Sequence, residues 1–207
     1  MADAPQSDPT DKPPVPKPTV TFRCDRQLMV ARFSTCGRVL AGGGYDATIR
    51  RWDLTGEEPA ELSRVEGHRG WVSWLEVQPT GELVFSVDTW GRLQAIRGIA
   101  AEPQLAWHHD AAHDGWIRSL SVSADGQVVV TAGRDGAVRA WNAADGKLLH
   151  EITDHPSEVF AVAIHPDKRS IVTGDLMGVL RRWDVPGGKC AAEVTLPEMH
   201  YYERIQD

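Results

Sequence analysis

One spacing recurs four times in this chain and limits what it can fold into. Cys24 precedes Trp52 by 28 residues, His68 precedes Ile96 by 28, His113 precedes Trp141 by 28, and His155 precedes Trp183 by 28. The residues between align without gaps. His68-Arg-Gly-Trp-Val-Ser-Trp-Leu-Glu-Val77 lies over His113-Asp-Gly-Trp-Ile-Arg-Ser-Leu-Ser-Val122 and over His155-Pro-Ser-Glu-Val-Phe-Ala-Val-Ala-Ile164. A second block, Asp46-Ala-Thr-Ile-Arg-Arg-Trp-Asp53, lies over Asp135 to Asn142 and Met177 to Asp184, and less closely over Trp90 to Arg97. A period of this length marks a repeat architecture, in which each unit is one supersecondary element that stacks on its neighbours.

Within a unit the pattern favours strands. Val128-Val-Val-Thr131 and Ser170-Ile-Val-Thr173 are β-branched runs, and Gly126, Gly136, Gly146 and Gly178 punctuate them at turn positions. Each unit therefore reads as three or four antiparallel strands of about five residues. A sheet of that size cannot bury both faces alone, so the units must stack.

These residues carry a family resemblance. The period, the histidine near each unit start, and Trp52-Asp53 and Trp183-Asp184 resemble the WD-repeat β-propeller family. The resemblance covers residues 20 to 200 and implies an all-β fold of WD-repeat β-propeller blades. It predicts four four-stranded antiparallel sheets at about residues 24–66, 67–112, 113–154 and 155–199. His200 falls 45 residues after His155, so residues 200–207 read as the start of a fifth unit. Thr19-Val-Thr-Phe22 sits where an outermost strand would lie. Closed propellers need typically four to eight blades, and this family most often uses seven, so residues 19–207 read as a partial propeller, an open arc or part of a larger ring.

The family's structural tetrad links a histidine, a serine or threonine, an aspartate in the following turn, and a tryptophan. The third unit matches throughout with His113, Thr131, Asp135 and Trp141. The others are partial. The first keeps Asp46 and Trp52 but has Cys24 and Gly42. The second has His68 and Ser86, with Trp90 and Ile96 where aspartate and tryptophan are expected, and so departs furthest. The fourth has His155, Thr173 and Trp183, with Met177 for the aspartate. Histidine beside aspartate and threonine also suggests a catalytic constellation, but one copy per repeat at structural spacing assigns these groups to holding the sheet.

The resemblance places the working surface on the narrow face, where the turn after each second strand meets the connection between units. That mapping yields Tyr45, Asp88, Trp90, Arg134 and Asp175 in turns, and Arg69, Trp71, Asp114, Trp116 and Glu158 in connections, as candidate partner-binding residues. Tyrosine, tryptophan and arginine are enriched in interface hot spots. Trp71 and Trp116 align with each other outside the tetrad, and packing at the rim is the alternative use for them.

Other classes of function are disfavoured. Trp107-His-His-Asp-Ala-Ala-His-Asp114 is dense in metal-ligand side chains, but His113 belongs to the tetrad and the remainder reads as a solvated connection. No metal and no cofactor are expected. Ala41-Gly-Gly-Gly-Tyr45 opens no helix and is no phosphate loop. Twenty-two basic against 29 acidic residues argue against a nucleic-acid ligand. Apolar runs are far shorter than the roughly 20 residues of a membrane span, and no signal segment opens the chain, which makes the cytoplasm the expected compartment. Residues 1–18 hold six of the 13 prolines and read as a disordered tail acting as a spacer, with a proline-rich ligand for an aromatic groove as the alternative use.

The expected function is a non-catalytic protein-interaction scaffold with protein partners. The alternatives are a propeller hosting a metal or enzyme site around His108, His109, Asp110 and Asp114, or a truncated remnant with no independent function. Open end faces of about 500 Å² each would make a lone arc adhesive, which predicts a homodimer or complementation by missing blades.

Overall fold

In the computed structural model, residues 20–184 and 189–195 are described. Their regular structure consists of sixteen strands, with no helix among the described residues. The first sheet holds β1 (Leu28–Phe33), β2 (Val39–Gly44), β3 (Ile49–Asp53) and β4 (Ala60–Val65). The second holds β5 (Val72–Val77), β6 (Leu83–Asp88), β7 (Leu93–Arg97) and β8 (Gln104–His109). The third holds β9 (Ile117–Val122), β10 (Val128–Gly133), β11 (Val138–Asn142) and β12 (Leu148–Ile152). The fourth holds β13 (Val159–Ile164), β14 (Ser170–Asp175), β15 (Val179–Asp184) and β16 (Lys189–Thr195). Each sheet is an antiparallel meander in chain order, one blade per sequence unit.

Blade stacking creates the core. Val30, Ala41, Ile49 and Val65 of the first blade pack on Val72, Leu75, Val84 and Ile96 of the second. Phe85, Val87, Leu93 and Ala95 then pack on Ile117, Leu120, Val129 and Trp141 of the third. Val130, Val138 and Ile152 pack on Val159, Val162, Ile171 and Trp183 of the fourth. Three clusters thus join four blades, each buried aliphatic side chain contributing about 1.5–3 kcal/mol. Innermost strands β1, β5, β9 and β13 follow one another in contact, and the ring is not closed.

Local sequence explains two close approaches. Gly43 faces Val72, and a Cβ there would lie 2.8 Å from the valine Cβ, inside any real carbon–carbon contact. Gly91 turns from β6 to β7 at φ +87°, where a side chain would strike the His113 carbonyl of the next blade. Each inner strand also carries a bulge near its start, at Met29, Ser73, Arg118 and Phe160, turning these side chains out of the regular alternation.

The second unit departs furthest from the motif, yet it is a full blade whose β6 is buried at every position; Ile96 supplies the apolar volume that the missing tryptophan leaves. Val20 to Phe22 form no strand, and Phe22 instead lays its ring against Trp52, with centroids 5.1 Å apart. The proline-rich tail and the fifth-unit start at 200–207 lie outside the described residues. No helix of the described residues is long and apolar enough to cross a membrane.

Candidate protein-binding face

The relay in the third blade runs from core to turn. Trp141 Nε1–H donates to Thr131 Oγ1 at 2.9 Å, and Thr131 Oγ1 lies 2.8 Å from His113 Nε2. His113 Nδ1–H donates to Asp135 at 2.9 Å, because a carboxylate only accepts. With that proton on Nδ1, neutral His113 accepts the Thr131 hydroxyl at Nε2, so each bond from Trp141 to Asp135 has a donor and an acceptor, and Arg139 Nη1 beside Nδ1 donates to Asp135 instead. Burial holds the His113 pKa below its ordinary value, against the pull of Asp135. Burial opposes ionisation of Asp135, but His113, Arg139 and the Ala137 N–H outweigh it and keep the carboxylate charged.

The second blade builds the same support from a different residue. Asp88, two positions before Trp90, accepts from His68 Nδ1 at 3.1 Å, and His68 Nε2 lies 2.8 Å from Ser86 Oγ. Asp88 also takes the backbone N–H groups of Arg69, Gly70, Trp90 and Arg92 at 2.8–3.3 Å. Although burial pushes the Asp88 carboxyl up, these donors bring it down to about 2. The fourth blade places Asp175 at the same register. There the carboxylate pairs with Arg181 and caps the Met177 and Val179 N–H groups. Trp183 and His155 both bond Thr173, but buried His155 Nδ1 has no partner among the described residues. In the first blade Asp46 pairs with Arg50 at 2.8 Å and caps Thr48.

Asp88 and Asp175 therefore leave the set of partner-binding candidates. Both side chains are buried and spent on their own turns.

What remains on the narrow face is an aromatic cleft of about 450 Å³, lined by Tyr45, Asp46, Arg69, Trp71, Trp90 and Trp116. Tyr45 from the first blade and Trp71 from the second stack with ring centroids 4.2 Å apart. The Trp71 backbone is tied to Thr89, whose Oγ1 accepts its N–H at 3.1 Å. Beside them Trp90 stands 69% exposed at the tip of its turn. Trp116 lies deeper, under the Arg118 guanidinium, whose carbon sits 3.7 Å from the indole centroid and also covers Phe160. Arg118 and Arg134 both reach Glu158, at 2.8 and 3.5 Å, so Glu158 is a half-buried anchor rather than a free charge. The aligned tryptophans thus diverge: Trp71 joins the exposed stack and Trp116 is capped. Arg118 and Phe160 escaped sequence reasoning because both are bulge residues, which the strand alternation misplaces.

The histidine-rich segment is engaged in packing. His109 Nε2–H donates to the Gly146 carbonyl at 2.7 Å, Trp107 donates to the Ala143 carbonyl at 2.9 Å, and Asp110 pairs with Arg92 and Arg69. Among the described residues no group of three His, Cys, Asp or Glu is placed to hold a metal ion.

Comparison with known proteins adds the decisive observation. The family model described as WD domain, G-beta repeat, matches residues 17–53, 105–142 and 146–184, more than half of the chain. The chain belongs to the WD-repeat family. The matches bypass most of the second blade, where Trp90 and Ile96 break the motif, although that WD-repeat blade folds like its neighbours. Among its relatives, p21-activated protein kinase-interacting protein 1-like of Danio rerio is 28% identical over 149 residues, 67% of this chain and 36% of the relative. Small ribosomal subunit protein RACK1y of Oryza sativa subsp. japonica is 27% identical over 95 residues, 42% of this chain and 26% of the relative. Angio-associated migratory cell protein of Homo sapiens is 28% identical over 176 residues, 56% of this chain and 41% of the relative. The WD-repeat chain spans well under half the length of these relatives.

Proposed function

We propose that this protein is a non-catalytic scaffold that holds a protein partner against the Tyr45–Trp71–Trp90 cleft. The observation that carries the reading is that stack itself. Two aromatic rings from adjacent blades are fixed against each other, a third stands almost bare beside them, and none takes part in a tetrad. A monomeric fold gains little from an exposed tryptophan, whereas truncating a well-packed interfacial one commonly costs about 2 kcal/mol or more of binding. Arg69 lines the cleft with its side chain 62% exposed and only its outer nitrogen near Asp110, at 3.5 Å, which suits a partner segment carrying apolar and acidic side chains. Two of the relatives are named for an interaction with a kinase and for membership of a ribosomal subunit, and a scaffold role is consistent with both names. The proposed compartment is the cytoplasm.

The test is site-specific photo-crosslinking from position 90, with captured proteins quantified for the wild type, Trp71→Ala/Tyr45→Ala and the control Lys147→Ala. Capture that falls about tenfold in the double variant and not in the control is the expected result. Equal capture by all three would remove the cleft from the interface.

A further inference from the structure

The three internal junctions use one set of registers, and the same registers are bare at both ends of the arc. On the third blade, Val130, Val138 and Ile152 are at most 5% exposed because the fourth blade covers them. Their equivalents on the fourth blade are Val172, Leu180 and Val194, matched through the pairings Val138↔Ile152 and Leu180↔Val194. These three are 38–58% exposed. At the other end, Leu28, Ala31 and Phe33 occupy the registers of Val72, Leu75 and Val77, which receive the preceding blade. Phe33 is 62% exposed. One end thus presents a face that covers and the other a face that receives.

Charge adds direction to this match. Arg51 is buried at the first junction, where its Nη1 donates to the Ile99 carbonyl at 2.8 Å and the Ala101 carbonyl at 2.7 Å, both in the β7–β8 turn of the second blade. The second and third blades carry Ala95 and Ala140 at that register. The fourth carries Arg182, which is exposed and makes no hydrogen bond or ion pair among the described residues. A receiving turn exists on the first blade. Trp52 to Ala60 aligns without gaps to Ile96 to Gln104, so Thr55 and Glu57 stand in the places of Ile99 and Ala101. Glu57 and Glu58 are exposed there and form no ion pair among the described residues. Among the described residues, an arginine without an acceptor and an acidic turn without a cation thus lie at complementary registers on opposite ends.

We propose that a second copy of this chain covers both end faces, the fourth blade of each copy docking on the first blade of the other, with Arg182 on the partner's Thr55–Glu58 turn. Two identical junctions form at once about a two-fold axis, and four blades from each copy close a ring of eight, within the range known for propellers. Because the faces differ, this arrangement behaves unlike a like-to-like dimer.

The experiment is analytical ultracentrifugation of the full 207-residue chain across a concentration series, with circular dichroism as the folding control. The wild type is expected to sediment at twice 22.8 kDa. Leu180→Asp and Phe33→Asp, each at an exposed position, are expected to sediment as monomers alone. An equimolar mixture of the two is expected to recover dimer, since one of the two junctions then joins unaltered faces. Arg182→Glu should weaken association about tenfold, and adding Glu57→Lys and Glu58→Lys to that chain should restore most of it. A wild type that stays at 22.8 kDa up to about 100 μM, far above the Kd of a stable interface, overturns the proposal. So does an open-ended series of oligomers, a mixture that yields no dimer, or a charge reversal without rescue.

Discussion

Replacing Asp88 by alanine tests whether the turn carboxylate of the second blade has moved two residues upstream of the motif position. The substitution removes the acceptor for His68 Nδ1 and for the N–H groups of Arg69, Gly70, Trp90 and Arg92. The side chains of His68 and Asp88 are wholly buried, so water cannot replace that bond without opening the blade. Hydrogen bonds to a charged group are worth about 1.5–3 kcal/mol each, and orphaned buried donors add a desolvation cost. Some of the backbone donors lie near the surface and regain water, so the total is about 3–5 kcal/mol, a large share of the 5–15 kcal/mol of a typical domain. Urea unfolding followed by tryptophan fluorescence, at one fixed protein concentration, should show the midpoint falling by about 2 M. Asp88→Asn keeps one carbonyl acceptor and should cost about half as much. Trp90→Asp restores the motif as written in sequence but sets a second carboxylate beside the first, and should give no stabilisation. A loss under about 1 kcal/mol for Asp88→Ala, or a gain of that size for Trp90→Asp, would refute the assignment.

Two further outcomes follow from the same geometry. Burial depresses the pKa of His68 and His113 below the unfolded value of about 6.5, so the unfolded chain binds more protons in that range and stability falls as pH drops below 6.5, by up to about 1.4 kcal/mol per pH unit for each histidine. The carboxylates of Asp88 and Asp135 extend the loss below about pH 4; urea midpoints from pH 8 to 4 check the histidine window, and a flat profile contradicts buried neutral imidazoles. Gly43→Ala should destabilise by about 1–3 kcal/mol, since its Cβ meets Val72 at the first junction, whereas Gly37→Ala meets nothing within 4 Å and is charged only for its φ of +71°; thermal melts of both variants make the comparison.

The blades were legible because the 28-residue interval ties the first strand to the third, and hydrogen-bonded registers tolerate no drift. The tetrad was legible only where all four residues stand at their usual places, as at His113 and Trp141. Trp90 and Met177 stand in the column where the motif has aspartate, and that column by itself does not show which nearby residue supplies the carboxylate. Asp88, two residues earlier, shows that a turn offers more than one position from which a carboxylate reaches the blade's histidine, whereas Asp175 at the same offset caps its turn and pairs with Arg181 without reaching His155. The Tyr45–Trp71 stack joins residues from different repeats, so no column of the alignment contains it. Likewise the capping of Trp116 depends on a bulge that turns Arg118 toward it, a backbone irregularity with no signature in the apolar pattern.

Among the described residues every sheet is threaded in simple chain order, β1 to β4, β5 to β8, β9 to β12 and β13 to β16, with no strand borrowed from another unit. Duplicating or deleting one stretch of gene that spans a single unit would therefore lengthen or shorten the array without rethreading what is left. Circumference in such a lineage is set by copy number, and a short array and a long one can share every local rule of construction.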